Sequence, residues 1–115
     1  MSFTLATWNI NSVRLREPIV CKLLAEEGPD VLCLQECKSP VDKIPMEAFA
    51  ALGYTHIVAE GQKGYNGVAI LSKMPLEPAG AHDFAQLGHG RHVAAKLPCG
   101  VTVHNFYVPA GGDVA

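Results

Sequence analysis

The chain has 115 residues, of which 49% are hydrophobic and 17% charged, so its composition is that of one folded domain rather than a disordered chain. A formal net charge of −2 argues against nucleic-acid binding through overall charge, but it does not exclude local positive charge beside a metal site. The sequence has neither an apolar run long enough to span a bilayer nor the basic start of a secretory signal, which predicts a cytoplasmic protein without a membrane partner.

The first predicted strand and the helix after it occupy the start of the chain. Residues 3–8 form a short apolar, β-prone run that ends at Asn9, so they predict a strand with a polar group at its carboxyl end. Residues 17–26 predict a helix because their apolar positions recur at helical spacing, and Pro18 suits a first turn. Gly28, which is followed by a proline, is expected to end that helix.

The middle of the chain continues the alternation of strands and helices. Residues 30–35 predict a strand buried on both faces, since their apolar run is continuous, and Glu36 follows at its end. Residues 45–52 predict a short helix, and residues 54–59 and 67–71 predict two further strands. This order of elements predicts an α/β fold.

The last part of the chain predicts a loop-rich connection and then a hairpin. Prolines and glycines recur through residues 73–90, so this segment predicts mostly loop, with some strand character around residues 81–84. Residues 91–97 and 101–108 predict two strands that pair through a turn at residues 98–100. We find no internal repeat and no interdomain linker.

Polar residues stand at the ends of the first two predicted strands, Asn9 with Asn11 and Gln35 with Glu36. In α/β sheets this edge is where ligands bind. If the two strands are neighbours, the Glu36 carboxylate and the asparagine amides converge on one point and offer oxygen ligands suited to Mg²⁺. The alternative is that the asparagines cap a turn and Glu36 is a solvated strand end.

Two tyrosines stand where a substrate contact is reasonable. Tyr65 and Asn66 lie in a glycine-flanked stretch beside Lys63, and an aromatic group next to a lysine suits nucleic acid. Tyr107 puts a phenol near the end of a strand otherwise built of valine and phenylalanine. The alternatives are an ordinary turn at residues 64–67 and a buried tyrosine whose hydroxyl bonds to backbone.

The histidines and cysteines lack the spacing of a metal motif. His89 and Arg91 lie in a glycine-rich loop and are the pair expected nearest to a substrate phosphate, with the arginine as a charged clamp. Reduced, partly buried thiols are expected rather than disulfides. The cysteines concerned are Cys21, Cys33, Cys37 and Cys99.

Four short motifs, in this order along the chain, resemble those of the exonuclease III and abasic-endonuclease family, within the endonuclease, exonuclease and phosphatase superfamily. They are WNINSVR at residues 8–14, LQECK at residues 34–38, GYNGVAILS at residues 64–72 and NFYVP at residues 105–109. Each motif alone is weak, but their order and separation match over nearly the whole chain. The match covers about the first half of a family member, so residues 1–115 are expected to be a partial domain of that superfamily.

The resemblance implies a fold and an activity. The implied fold is a four-layer α/β sandwich with two mixed sheets flanked by helices, and this chain would be its N-terminal half. The implied activity is magnesium-dependent cleavage of phosphodiesters in duplex DNA, by incision at abasic sites and removal of nucleotides from 3′ ends. Mn²⁺ is the alternative metal.

The resemblance also implies roles for residues of this sequence. Glu36 resembles the magnesium-binding glutamate, Asn9 resembles the asparagine that shares its site, and Asn11 is a neighbouring candidate ligand. Tyr107 resembles the active-site tyrosine, so the implied catalytic residues are Tyr107, Glu36 and Asn9. Four more residues resemble those that approach the DNA backbone, namely Lys38, Tyr65, Asn66 and Arg91.

The general base that the resemblance implies is missing from these 115 residues. The family supplies it from a later Gly-Asp-x-Asn segment, with an aspartate-histidine pair near the C-terminus, and neither motif occurs here. Two smaller departures are Cys37, where threonine is usual, and Ala110, where asparagine often stands. We therefore expect the isolated chain to be nearly inactive and to expose sheet edges that favour self-association.

Three other interpretations stay open at this point. A superfamily enzyme could act on another phosphodiester, such as a lipid or inositol phosphate, although the motif at residues 64–72 favours DNA repair. The chain could instead be a non-catalytic remnant that binds DNA weakly or serves as an interaction piece. It could also be a partial gene product without an independent role.

Overall fold

The computed structural model describes residues 3–39, 41–62, 65–80 and 92–106, whose helices and strands confirm the predicted α/β class. In chain order the elements are β1 (Leu5–Asn9), α1 (Glu17–Glu26), β2 (Val31–Gln35), a 3₁₀ turn (Val41–Lys43), α2 (Met46–Ala50), β3 (His56–Gln62), β4 (Tyr65–Ser72), β5 (Glu77–Gly80), β6 (His92–Lys96) and β7 (Thr102–Phe106).

The described strands form two sheets. The first sheet is mixed and has the order β1-β2-β4-β3, in which β1 runs parallel to β2 and β4 runs antiparallel to both of its neighbours. A parallel pair needs a crossover connection, and α1 provides it between β1 and β2. The second sheet has the order β5-β6-β7, and its two described pairs are antiparallel.

Strand β2 lies between two apolar cores, because its successive side chains point to opposite faces. Leu32 and Leu34 pack on the side of the helices, whereas Val31 and Cys33 belong to the core that faces the second sheet. All four are buried, as the continuous apolar run predicts. On the helix side they meet Val20, Leu24, Phe49 and Tyr54, and on the other side they meet Val93, Ala95, Leu97 and Val103.

The two helices follow their sequence signals. Helix α1 has the predicted bounds, with Pro18 in its first turn, and Gly28 after its end adopts a left-handed φ of 57°. Helix α2 is shorter than predicted, and the buried Tyr54 that follows it donates a hydrogen bond from its hydroxyl to the carbonyl of Pro29. Within the described part of the chain, neither helix is long and apolar enough to cross a membrane.

The start of β4 differs from the prediction, which began this strand at residue 67 and offered an ordinary turn at residues 64–67 as an alternative. Tyr65, Asn66 and Gly67 belong to β4, and Tyr65 pairs with Gln62 on β3. Pairing with a neighbouring strand satisfies the backbone groups that a turn would leave to solvent. A register shift on β3 and a φ of 94° at Gly67 accommodate the irregular pairing.

Strand β5 is a second correction, because residues 77–80 fall in the segment predicted to be mostly loop. Pro78 pairs with Ala95 of β6, and a register shift follows it before Gly80. Proline is tolerated here because β5 is the outer strand of the described sheet. The strand character suggested for residues 81–84 falls outside the described residues.

The C-terminal hairpin is confirmed over the described residues. Strands β6 and β7 pair in antiparallel register, and the turn is closed where the Leu97 amide donates to the Val101 carbonyl at 2.8 Å. Gly100 has a φ of 94°, a conformation that favours glycine in such a turn. The predicted ends of both strands, at Arg91 and at residues 107–108, are outside the described part of the chain.

Candidate active site

The carboxyl ends of β1 and β2 lie side by side at one edge of the first sheet. The two strands are parallel neighbours, and Asn9 is the register partner of Gln35, the residue before Glu36. Hydrogen bonds continue past the strand ends, because the Ile10 amide donates to the Gln35 carbonyl at 3.1 Å and the Ser12 amide to the Glu36 carbonyl at 2.8 Å. The two strands are therefore neighbours, which is the condition under which the sequence brings Glu36 and the asparagines to one edge of the sheet.

The segments after these strands have an unusual backbone. Four residues other than glycine have positive φ angles, namely Asn11 (51°), Ser12 (91°), Glu36 (53°) and Lys38 (52°). Each such conformation costs about 1 to 3 kcal/mol and persists only where surrounding contacts hold it. Strand β2 ends at Gln35, and Glu36 is half-buried and is not part of the apolar core that contains Leu34.

Glu36 and Asn9 provide oxygen donors that fit a divalent cation such as Mg²⁺. Asn9 is exposed, and its register partner Gln35 is followed directly by the half-buried Glu36. Among the described residues, no group of three or more histidine, cysteine, aspartate or glutamate side chains is arranged to hold a metal. Mg²⁺ does not require such a group, since it is usually bound through one or two carboxylates and keeps several waters.

Lys38 lies against Asn11, the other candidate ligand from the first strand. The Lys38 ammonium donates a hydrogen bond to the side-chain oxygen Oδ1 of Asn11. An ammonium at this oxygen competes with a metal ion for the same lone pairs and repels a second cation. This contact favours Asn9 over Asn11 as the amide ligand, and the family resemblance likewise implies Asn9 as the ligand with Asn11 as a neighbouring candidate.

A hydrogen-bonded chain of side chains connects the strand ends to the second sheet. The Nε2 atom of Gln35 donates to Oγ1 of Thr7 at 2.8 Å and to Oδ1 of Asn105 at 2.7 Å. The Nδ2 atom of Asn105 donates in turn to the carbonyls of Leu34 at 3.0 Å and Ala69 at 2.8 Å. We call the side chains of Thr7, Gln35 and Asn105 the amide network.

Sequence reasoning did not assign a role to Asn105 or Thr7. Asn105 drew notice only as the first residue of the motif that contains Tyr107. The sequence does contain a signal for Asn105. It is a polar residue two positions after Val103 on the same strand, and Val103 is part of the apolar core. A buried polar side chain at such a position needs hydrogen-bond partners.

The remaining predicted site residues are only partly within the described structure. The backbone of Tyr65 and Asn66 opens β4, and the next residue, Gly67, accepts a hydrogen bond from the Cys37 amide at 3.0 Å. The start of β4 therefore adjoins the segment after β2. Arg91 and Tyr107, like His89, lie outside the described residues, and their roles stay predictions.

The cysteines are free thiols, as predicted. Cys33 and Cys37 are buried, Cys21 is half-buried and Cys99 is exposed. Burial raises the pKa of Cys33 to about 11 and that of Cys37 to about 12. Both groups are therefore protonated at neutral pH, which disfavours a role as thiolate nucleophiles.

The sequence profile of the Endonuclease/Exonuclease/phosphatase family matches residues 6–114. Exodeoxyribonuclease III from Haemophilus influenzae is 40% identical over 67 residues, which are 58% of this chain and 25% of that protein. Recombination repair protein 1 from Drosophila melanogaster is 33% identical over 114 residues, or 94% of this chain and 16% of that protein. The chain thus spans no more than about a quarter of these two relatives.

Solved structures share this fold. An AP endonuclease from Archaeoglobus fulgidus superimposes with a TM-score of 0.83 at 41% identity, over 94% of this chain and 42% of that one. A 3′-5′ exonuclease (NExo) from Neisseria meningitidis has a TM-score of 0.81 at 40% identity, over 90% and 41% of the two chains. A Neisseria NExo 3′ phosphatase bound to a product DNA hairpin gives 0.80 at 41% identity, over 92% and 41%.

Proposed function

Because this chain belongs to the endonuclease/exonuclease/phosphatase family, we propose that it is the N-terminal part of a metal-dependent DNA-repair phosphodiesterase resembling exodeoxyribonuclease III. One observation carries the proposal. The parallel pairing of β1 and β2 puts Asn9 opposite Gln35, and Gln35 is the residue directly before Glu36. The relatives include an exodeoxyribonuclease III, a recombination repair protein and a solved structure bound to DNA, which together support DNA as the substrate. A duplex DNA substrate would also agree with the cytoplasmic location that the sequence predicts.

The proposed substrate is duplex DNA that carries an abasic site or a 3′ end. Glu36 and Asn9 would hold Mg²⁺, or Mn²⁺ in its place, through a carboxylate and an amide oxygen. A divalent metal there would neutralise phosphate charge and stabilise the leaving 3′ oxygen. Tyr107 would donate its phenolic proton in a hydrogen bond to a phosphoryl oxygen, which holds the phosphate in line for attack by water.

Other residues of the chain would contact the DNA backbone. Lys38 bonds to Asn11, two residues after the proposed ligand Asn9, so its charge would attract a phosphate there. Tyr65 and Asn66 open β4 beside the same segment. Arg91 is proposed from the resemblance alone.

We propose that the isolated 115-residue chain turns over slowly or not at all. The Gly-Asp-x-Asn motif and the aspartate-histidine pair that supply the base in the family are absent from its sequence. Without a base to take the proton of the attacking water, positioning of the phosphate alone gives little hydrolysis. The chain covers only 42% of the Archaeoglobus relative, so the base would come from the remainder of such a fold.

The test compares the chain alone with the chain supplied with the remaining part of the Archaeoglobus relative, as a separate polypeptide or a fusion. We expect Mg²⁺-dependent nicking of an abasic-site duplex only in the combined protein, and its loss in Glu36→Gln. Full turnover by the chain alone would refute the proposed incompleteness. DNA binding without nicking, at an affinity that neither Mg²⁺ nor Glu36→Gln changes, would identify a non-catalytic binding module instead.

We also propose that the isolated chain self-associates. Leu5 on β1 is 49% exposed, and β1 and β3 are the outer strands of the described first sheet. Exposed strand edges and apolar side chains favour contact between copies. Sedimentation over a wide range of concentrations checks this, and a monomer throughout would refute it.

A further inference from the structure

We propose that Asn105 is a positioning residue whose amide, through Gln35, holds the end of β2 in the geometry that presents Glu36. The part of this inference that concerns metal binding depends on the proposed function. The part that concerns the backbone after β2 does not, and the two can be measured separately.

Every hydrogen-bonding group of the Asn105 side chain is used. The residue is 2% exposed, its Oδ1 accepts from Gln35, and its Nδ2 donates to the carbonyls of Leu34 and Ala69. Leu34 and Ala69 are register partners on β2 and β4. One amide on the second sheet is therefore bonded to two adjacent strands of the first.

The same holds for the donors of Gln35. Its two Nε2 hydrogens are shared between Thr7 on β1 and Asn105 on β7. Thr7 lies on β1, two residues before the candidate ligand Asn9. Its bond to Gln35 therefore connects β1 to the end of β2, which the candidate ligand Glu36 follows. The contacts of Asn105 hold these strands in one arrangement, because a shift that breaks them leaves its buried amide unpaired.

The backbone conformation of Glu36 depends on this arrangement. It follows Gln35 directly and has a φ of 53°, which is unfavourable for a glutamate without support. The backbone supports it through the bond from Ser12 to its carbonyl and through the bond from the Cys37 amide to Gly67. The amide network supports the residue before it, so the conformation is held from both sides.

The amide network also connects the second sheet to the first at the carboxyl ends of β2 and β7. Asn105 precedes Tyr107 by two positions, and Gln35 precedes Glu36 by one. The 2.7 Å hydrogen bond between Gln35 and Asn105 therefore joins the ends of β2 and β7, the strands that the candidate catalytic residues Glu36 and Tyr107 follow in the sequence. An apolar residue at position 105 could fill the space, but it would not set this alignment.

The experiment measures amide hydrogen exchange and Mn²⁺ affinity in the full 115-residue chain. In Asn105→Ala we expect the amides of Ser12 and Cys37 to exchange about tenfold faster, while those of Val20 and Leu97 change less, as local opening predicts. We expect the dissociation constant for Mn²⁺ to rise about 10- to 100-fold, as loss of a residue that orients a metal ligand does.

Two more variants keep the test decisive. Gln35→Ala should reproduce both effects, and the double variant should add little, because the two residues act through one contact. Thr102→Ala changes an exposed residue of the same strand and serves as the control. If Asn105→Ala does not fold, Thr7→Val removes the other end of the network at an exposed residue and should shift both readouts in the same direction.

The outcomes separate the two proposals. Equal acceleration of all four amides, or no acceleration at Ser12 and Cys37, would mean a purely structural role for Asn105 and overturn the inference. Faster local exchange with an unchanged Mn²⁺ affinity would overturn its link to the metal. A parent chain that binds no Mn²⁺ would count against the proposed function, while the exchange data would still decide whether Asn105 holds the strand end.

Discussion

Lys38 and Asn11 form a side-chain hydrogen bond, from the ammonium to Oδ1, although 27 positions separate them in the sequence. The family resemblance implies different partners for them, the DNA backbone for Lys38 and a metal ion for Asn11. Their contact means that Asn11 orients a positive charge beside the candidate site. Asn11 is better suited to hold the lysine than to bind a cation itself.

Substitution of Lys38 tests this charge. In Lys38→Gln we expect weaker binding to duplex DNA, and a salt dependence of the logarithm of affinity that is shallower by about one unit, because one phosphate contact is lost. Fluorescence anisotropy over a series of salt concentrations measures both. Lys22→Gln, on the exposed face of α1 next to Glu26, is the matched control and should leave the slope unchanged.

The two asparagines can be told apart by metal affinity. We expect Asn9→Ala to weaken Mn²⁺ binding about tenfold or more, as loss of a direct ligand should, and Asn11→Ala to weaken it less, since its oxygen already accepts from Lys38. Calorimetric titration gives both constants, with Glu36→Gln as the reference for loss of the carboxylate. A larger effect from Asn11→Ala would reverse the assignment of the two amides.

The buried thiols predict an alkaline loss of stability. Burial raises the pKa of Cys37 from 9.0 to about 12 and that of Cys33 from 9.0 to about 11, so between pH 9 and these values the unfolded chain releases the protons while the folded chain keeps them. Their contribution to stability is complete below pH 9 and is lost as pH rises through the folded values, by about 1.4 kcal/mol per pH unit for each thiol.

Urea denaturation at a series of pH values from 8 to 11 measures this loss. Cys37→Ala should reduce the slope of stability against pH above pH 9, because one of the two thiols no longer titrates. Its cost from the lost side-chain volume is the same at every pH. Cys99→Ala, at the exposed cysteine, is the control, and an equal reduction in that variant would contradict the prediction.

The hydroxyl of Tyr54 is expected to stabilise the fold. It donates to the carbonyl of Pro29 from a fully buried position, so Tyr54→Phe leaves a buried acceptor without this donor. The free energy of unfolding should fall by about 1 to 2 kcal/mol. Chemical denaturation measures the change beside Thr55→Val at the exposed neighbour, and an equally small loss in both variants would refute the role of the hydrogen bond.

Local sequence signals were sufficient where they act over a few residues. The apolar spacing, Pro18 and Gly28 predict α1 with its observed bounds, because helix periodicity and helix-ending residues are local properties. The apolar run of β2 likewise predicts burial on both faces. Strand β5 could not be predicted this way, since a strand containing Pro78 exists only through its pairing with β6.

The sequence by itself determined the α/β class, the strands and the helix around the candidate site, and the four motifs that identify the family. Only the tertiary structure decided that Lys38 bonds to Asn11 and that Asn105 joins Gln35 across 70 positions. The reason is physical: hydrophobic periodicity reports which face of an element is buried, but hydrogen bonds between distant side chains depend on how the strands are placed relative to each other.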